Sequence, residues 1–317
     1  MALSCNGESI GIIDPGERDP WIRIILGETS YAASCRKDAR PQELYKLVLF
    51  FMMLPKLIQK NAVLVHASSV FYKDKGFLFP AWSATGKTIM MMNFIAQRAK
   101  LIADDFTIVT AEGSLLCFPG VIYVRNPHSA KIGCINKTNL FFSSYTASRL
   151  TRWVLPSLGK VFRRLPLRTA KTIGLACIQM GKSDMCVPFP FERLFPQGEI
   201  KRSCVMDTVF CLHKDRHSQS KIRSMQEDCA TIQIVSNLMD QIENNIPGLY
   251  QACRFVLSAG GKSQFEGIEQ PALKIIEKAL VAKPIYLVSF AWDSNPEVIV
   301  RELMQCPSIE FSGLQNA

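Results

Sequence analysis

The chain has 317 residues, 48% of them apolar, which suffices for one large domain or two ordinary ones around a substantial core. Its eleven cysteines form no C-x-x-C pair, which reads as free thiols in a reducing, cytoplasmic setting and excludes a disulfide-stapled module. The net charge of +10 belongs to one segment: residues 113–183 hold eleven Lys and Arg and no Asp or Glu, and removing those eleven leaves 26 bases against 27 acids.

Met1 to Pro20 carries polar and acidic residues throughout and reads as neither a secretory signal nor a transit peptide. Residues 1–59 form an expected small α/β region packed on the main body, with an apolar, β-branched strand at Trp21 to Leu26 and helical spacing from Gln42 to Ile58. The greasy run Leu47 to Leu54 is too short for a bilayer, which needs about twenty residues, so it reads as a core helix. Gly7-Glu8-Ser9-Ile10-Gly11 has the spacing of a hydrolase nucleophile elbow, but that elbow needs a core strand before it and a helix after it. Six residues precede it and Asp14-Pro15-Gly16 closes off the helix, so the match is chance.

From residue 60 to the end the pattern is that of an α/β domain. Strands are predicted at Ala62 to His66 and Gly76 to Pro80, joined through Ser68 to Phe71 and a hairpin-type turn at Lys73-Asp74-Lys75-Gly76. A loop follows, Ala81-Trp82-Ser83-Ala84-Thr85-Gly86-Lys87-Thr88, then a Met-rich helix to Lys100. A strand at Leu101 to Ala103 ends on Asp104-Asp105 and is expected to continue through Phe106 to Thr110. Residues 126–203, broken by Pro127, Pro156, Pro166, Pro188 and Pro190, are expected to form a basic helical insertion or lid. Regular structure resumes with a strand at Val205 to Leu212, helices at Met225 to Glu243 and Ala272 to Ala282, and a strand at Pro284 to Phe290. Strand, loop, helix, then a strand tipped with acids is a nucleotide-binding order.

The loop carries most of the chemistry. A P-loop wraps phosphate with successive backbone N–H groups while its Lys reaches the outer phosphate oxygens and its Ser or Thr hydroxyl binds Mg²⁺. Gly86, Lys87 and Thr88 supply the last three parts, although Ala81 replaces the first glycine of G-x-x-x-x-G-K-S/T. Adjacent strand residues point to opposite faces, so Asp104 and Asp105 divide their work: one holds a metal ion or its water shell, the other takes a proton from an acceptor hydroxyl. His66 ends the first strand, as a hydrogen-bonded core residue or as part of the same site. His213 and His217 have the spacing of helical metal ligands but fall on a strand end and loop, with no Glu after the first, and read as solvated.

Taken together, His66-Ala-Ser-Ser-Val, the strand Gly-Phe-Leu-Phe-Pro, Trp82 to Thr88 and Leu101 to Asp105 resemble the HPr kinase/phosphorylase family and its relatives with the phosphoenolpyruvate carboxykinase-like nucleotide fold. These motifs cover residues 62–110, and the strand and helix at 205–243 extend the likeness at the level of fold. The resemblance implies a P-loop mixed-sheet core in which Lys87 binds phosphates, Thr88 and Asp104 serve the metal, Asp105 is the proton acceptor and His66 lies near the transferred group. Ser83 stands at the family's loop serine. Ala81 and Ala84 stand where the family has glycine, and Arg125-Asn126-Pro127-His128-Ser129-Ala130 lacks the family's carboxylate signature, which marks a divergent member.

These expectations describe a cytosolic kinase using Mg²⁺ and ATP, or another nucleoside triphosphate, on a serine of a protein or peptide or on a small hydroxylated metabolite. Arg125, Arg149, Arg152, Arg163 and Arg164 are its candidate contacts to an anionic acceptor, in a segment whose default is a solvated helical face. A nucleotide-sensing module without catalysis is the first alternative, and a basic RNA- or membrane-binding protein is the second. Assembly into a homo-oligomer is left open.

Overall fold

Short apolar runs give the first four strands, β1 (Ala2–Cys5), β2 (Ser9–Ile13), β3 (Ile22–Leu26) and β4 (Tyr31–Cys35), which pair in sequence order as an antiparallel meander. The computed structural model describes residues 48–118, 120, 122–125, 186–215, 220–245, 267–291 and 294–306, these four strands, and residues 45 and 157. The chain is mixed α/β, and its main sheet mixes parallel and antiparallel strands. Among the described residues, no helix is long and apolar enough to cross a membrane. The greasy run becomes a π-helical turn, Val48–Met53, leading into α1 (Leu54–Gln59), and it buries Leu49, Phe50 and Leu54 in the core.

The main sheet starts with β5 (Ala62–Val65), β6 (Ala67–Tyr72) and β7 (Lys75–Pro80). The stretch expected to connect two strands, Ser68 to Phe71, is thus itself a strand. Its small hydroxyl residues look like a loop in sequence, but they are buried, and Ser69 Oγ pairs with Thr107 Oγ1 at 2.9 Å. Lys73 and Asp74, both at positive φ (48° and 59°), make the two-residue turn between β6 and β7, the backbone twist that tight hairpins require.

After α2 (Lys87–Ala96) and β8 (Lys100–Ala103), the chain does not run straight on as expected. Asp105 takes φ 65° and the Phe106 N–H bonds back to the Asp104 carbonyl at 2.8 Å, a γ-turn that ends one strand and starts β9 (Thr107–Thr110) elsewhere. β8 pairs with β6, whereas β9 pairs with β5. Two antiparallel segments, β5–β6 and β8–β9, therefore change partners side by side, with His66 at one break and Asp104 and Asp105 at the other. Thr107 Oγ1 donates to the Ala67 carbonyl at 3.0 Å and closes this seam.

β10 (Ser114–Leu116) then pairs with the start of β13 (Ser203–Asp215), whose later residues lie parallel to β7 and to β15 (Ile285–Ala291). β14 (Lys221–Ser224) closes the edge beyond β15, and β11 (Ile122–Arg125) and β12 (Cys186–Phe189) form a separate pair followed by the short α3 (Phe191–Leu194). Alternate residues of the central strands point to opposite faces and build two cores. Leu78, Val209 and Cys211 face α4 (Glu227–Asn245) and α5 (Glu269–Leu280), whereas Phe77, Phe79, Phe210 and Leu212 face α2 and α6 (Pro296–Met304). Cys117, Cys204, Cys211, Cys229 and Cys306 are free thiols, and burial pushes the Cys204 and Cys211 thiols up to about 12, which makes them inert packing groups.

The β7–β13 pairing is irregular at Asp207, whose carboxylate accepts from the Gly76 N–H at 2.7 Å. A Cβ at Gly76 would strike the Val205 carbonyl oxygen and lie 2.6 Å from Cys204 Sγ. Gly76→Ala is expected to destabilise the fold by about 2–3 kcal/mol through overpacking against backbone. Urea denaturation checks it, and an unchanged midpoint would contradict the close approach.

Candidate functional site

Topology gathers the site at one end of three neighbouring strands. β7 and β8 each pair antiparallel with β6, so the C-termini of β7 and β8 meet the N-terminus of β6. The registers Ala67↔Pro80 and Ser69↔Ala103 place the loop after β7, His66 and Ser68 around β6, and the aspartates after β8 within reach of one another.

The loop begins at the buried Ala81 and reaches the surface at Trp82, Ser83 and Ala84 before Thr85 turns inward. Gly86 takes φ 114° as the N-cap of α2, a left-handed conformation that glycine adopts without cost. Space alone does not require the glycine, since a Cβ there would meet only Phe290 Cζ at 4.0 Å. Ala84 also sits at positive φ, 64°, which costs an L-residue about 1–2 kcal/mol. Lys87 is buried, and its ammonium donates to the Ala81 carbonyl at 3.1 Å and the Trp82 carbonyl at 3.2 Å, folded across the base of its own loop.

Thr88 lies in the first turn of α2, and its Oγ1 donates to the two carboxylate oxygens of Asp104, each at 3.1 Å. Ser68 Oγ donates to Asp104 Oδ1 at 2.5 Å. Burial raises the Asp104 pKa and the neighbouring Asp105 carboxylate adds to the rise, against the lowering by the hydrogen bonds from Ser68 and Thr88. The carboxylate is thus buried and accepts hydrogen bonds from the neutral Ser68 and Thr88 hydroxyls. An oxygen-ligand cation such as Mg²⁺ matches that donor set of one carboxylate and one threonine hydroxyl, with further positions open to water or phosphate oxygens.

Asp105 lies in the γ-turn after β8, at φ 65°, and has a different set of neighbours. It is half-exposed, and its Oδ1 lies 3.2 Å from His66 Nε2. His66 is almost completely buried, tilted against the Phe106 ring at 5.5 Å between centroids, and its Nδ1 faces Asn237 Oδ1 at 3.1 Å. The structure therefore joins His66, Lys87, Thr88, Asp104 and Asp105 in one constellation.

No protein-family model and no curated protein matches the chain.

Sequence reasoning left Ser68 and Asn237 without a role. Ser68 was masked by the loop-like look of its strand. Asn237 lies 171 residues from His66 and belongs to no local motif. A signal for it existed: it shares the apolar face of α4 with Ile234, Leu238 and Gln241, and a buried polar residue on such a face needs partners. Of the basic candidates, Arg125 has its backbone on β11, while Arg149, Arg152, Arg163 and Arg164 lie outside the described residues, as does His217.

The raised pKa of Asp104 has a stability consequence whose sign is the reverse of a salt-bridged carboxylate. The folded chain holds this proton above the ordinary value of 3.8, so stability falls as pH climbs from about 3.8 through the folded-state pKa. Asp104→Asn is expected to remove that loss and raise the melting temperature at pH 7 in metal-free buffer, with little change near pH 3.8. Thermal melts at both pH values decide, and a lower melting temperature at pH 7 would show that the carboxylate stabilises the fold.

Proposed function

We propose that the chain is an ATP-dependent phosphotransferase of the HPr kinase-like, phosphoenolpyruvate carboxykinase-type P-loop class, acting on a hydroxyl acceptor. The observation that carries the reading is the buried Asp104 carboxylate bonded to Thr88 Oγ1 in the first turn of a helix that begins at Lys87, with the Asp105–His66 pair next to it in the chain. Amides before Thr88 and the positive end of α2 suit the phosphates of a nucleoside triphosphate. Mg²⁺ bound at Asp104 and Thr88 supplies charge neutralisation for the transferred group.

The remaining work falls to the chain's own residues. Lys87 leaves the Ala81 and Trp82 carbonyls to pair with the outer phosphates. Asp105, half-exposed and beside His66, takes the proton of the acceptor hydroxyl, and His66 holds that carboxylate in position. Phosphoryl transfer demands mainly alignment and charge stabilisation, and these groups provide both. The acceptor class is a serine of a protein or peptide or a small hydroxylated metabolite, drawn in by the basic segment.

Ala84 favours one second reading. A strained left-handed alanine in the phosphate loop, together with Lys87 bound to loop carbonyls, suits a module that senses nucleotide without turning it over. The two readings separate in one set of assays. Phosphotransfer expects nucleotide consumption that rises with a hydroxyl acceptor and falls by about a hundredfold or more in Lys87→Ala and Asp105→Asn. Calorimetric binding of Mg²⁺-ATP without any turnover would select the sensor, and variants as active as the wild type would end the phosphotransferase reading.

A further inference from the structure

Asn237 is 1% exposed, and its side-chain amide is spent on the site. Its Nδ2 donates to the Ala81 carbonyl at 2.6 Å and to the His66 carbonyl at 3.3 Å, while Oδ1 faces His66 Nδ1 at 3.1 Å. Carbonyl oxygens only accept, so the amide nitrogen must be the atom that faces them. Its oxygen, which also only accepts, is then left against the imidazole. That contact is a hydrogen bond only when Nδ1 carries the proton.

We propose that Asn237 is the positioning residue of this site, holding the His66 ring with Nδ1–H donated to its amide oxygen and Nε2 aimed at Asp105. The ring's tautomer is set by the partner of its other nitrogen, and here that partner comes from α4, on the far side of the β5–β6 seam. A carboxylate also only accepts, so the 3.2 Å contact between Nε2 and Asp105 Oδ1 takes a second proton, on Nε2 or on Asp105 itself.

Asn237 has a second task through the Ala81 carbonyl, which accepts from both Nδ2 and the Lys87 ammonium. When Lys87 turns to a phosphate, this buried carbonyl keeps a donor, so the release of Lys87 leaves no unsatisfied group behind. This second task rests on the phosphotransferase reading, whereas the Nδ1 proton does not.

The test is long-range ¹H–¹⁵N correlation spectroscopy on the full chain with ¹⁵N-labelled histidine at pH 7, with His66 assigned by the signals lost in His66→Gln. The expected wild-type ring carries a proton at Nδ1. Asn237→Leu, similar in size but without polar atoms, is expected to leave Nδ1 bare and the ring proton at Nε2, where Asp105 accepts it. Asn237→Asp is expected to keep Nδ1–H, because a carboxylate still accepts, while losing the donor to Ala81. A wild-type ring bare at Nδ1, or Nδ1–H retained in Asn237→Leu, overturns the proposal, and the wild-type spectrum decides even if Asn237→Leu fails to fold. In turnover assays with Mg²⁺-ATP, Asn237→Leu is expected to lower kcat about tenfold to a hundredfold. Asn237→Asp is expected to show its main effect on KM for the nucleotide. Absence of turnover in the wild type would remove the phosphotransferase reading and leave the Nδ1–H assignment standing.

Discussion

Asp104 is a carboxylate held out of water where two strands exchange partners, and three elements meet on it. Ser68 reaches it from β6 and Thr88 from the first turn of α2, while Asp104 itself directly follows β8. An ionised group in such a place costs several kcal/mol unless it is paired, and two neutral hydroxyls compensate only part of that cost. The same contacts fix the distance between the helix start and the strand end.

The seam in the sheet divides the work of the two aspartates. Because Asp105 occupies the centre of a γ-turn at φ 65°, its carboxylate leaves the buried side on which Asp104 lies and emerges half-exposed beside His66. On the proposed phosphotransferase reading, one acid is thereby kept for a cation and the other for a proton. Two positive-φ residues without glycine, Ala84 and Asp105, flank the space between loop and strand, and backbone strain of this kind persists where the surrounding packing over-determines it. Packing supplies that constraint here: Phe106 is wedged between His66 and Phe50, and the Met-rich α2 is buried against Phe77 and Phe79.

Much of this was legible from local pattern. The segment Ala81 to Thr88 lies between a strand and a helix, as its pattern indicates, and the two aspartates stand at the strand's tip, but the turn after β8 and not strand alternation sets them apart. What local pattern hid was exchange of partners. Ser68 and Ser69 resemble loop residues because a buried hydroxyl is satisfied only by partners distant in sequence, here Asp104 and Thr107. The apolar run from Leu101 through Val109 reads as one strand because the turn that divides it comes from the φ of Asp105, which composition does not encode. Asn237 was invisible for the same reason, since its partners are 156 and 171 residues away. The basic arginines of residues 126–185 remain known from sequence alone.

The central claim is that a triphosphate lies along the amides before Thr88 with its metal on Asp104. A crystal structure of the full chain with Mg²⁺ and a non-hydrolysable ATP analogue tests it most directly. The account expects phosphate density over residues 82–88, a cation bridging Thr88 and Asp104, and the Lys87 ammonium moved from the Ala81 carbonyl to a phosphate oxygen. Nucleotide bound elsewhere, or Lys87 still resting on its own loop beside an occupied site, would contradict it.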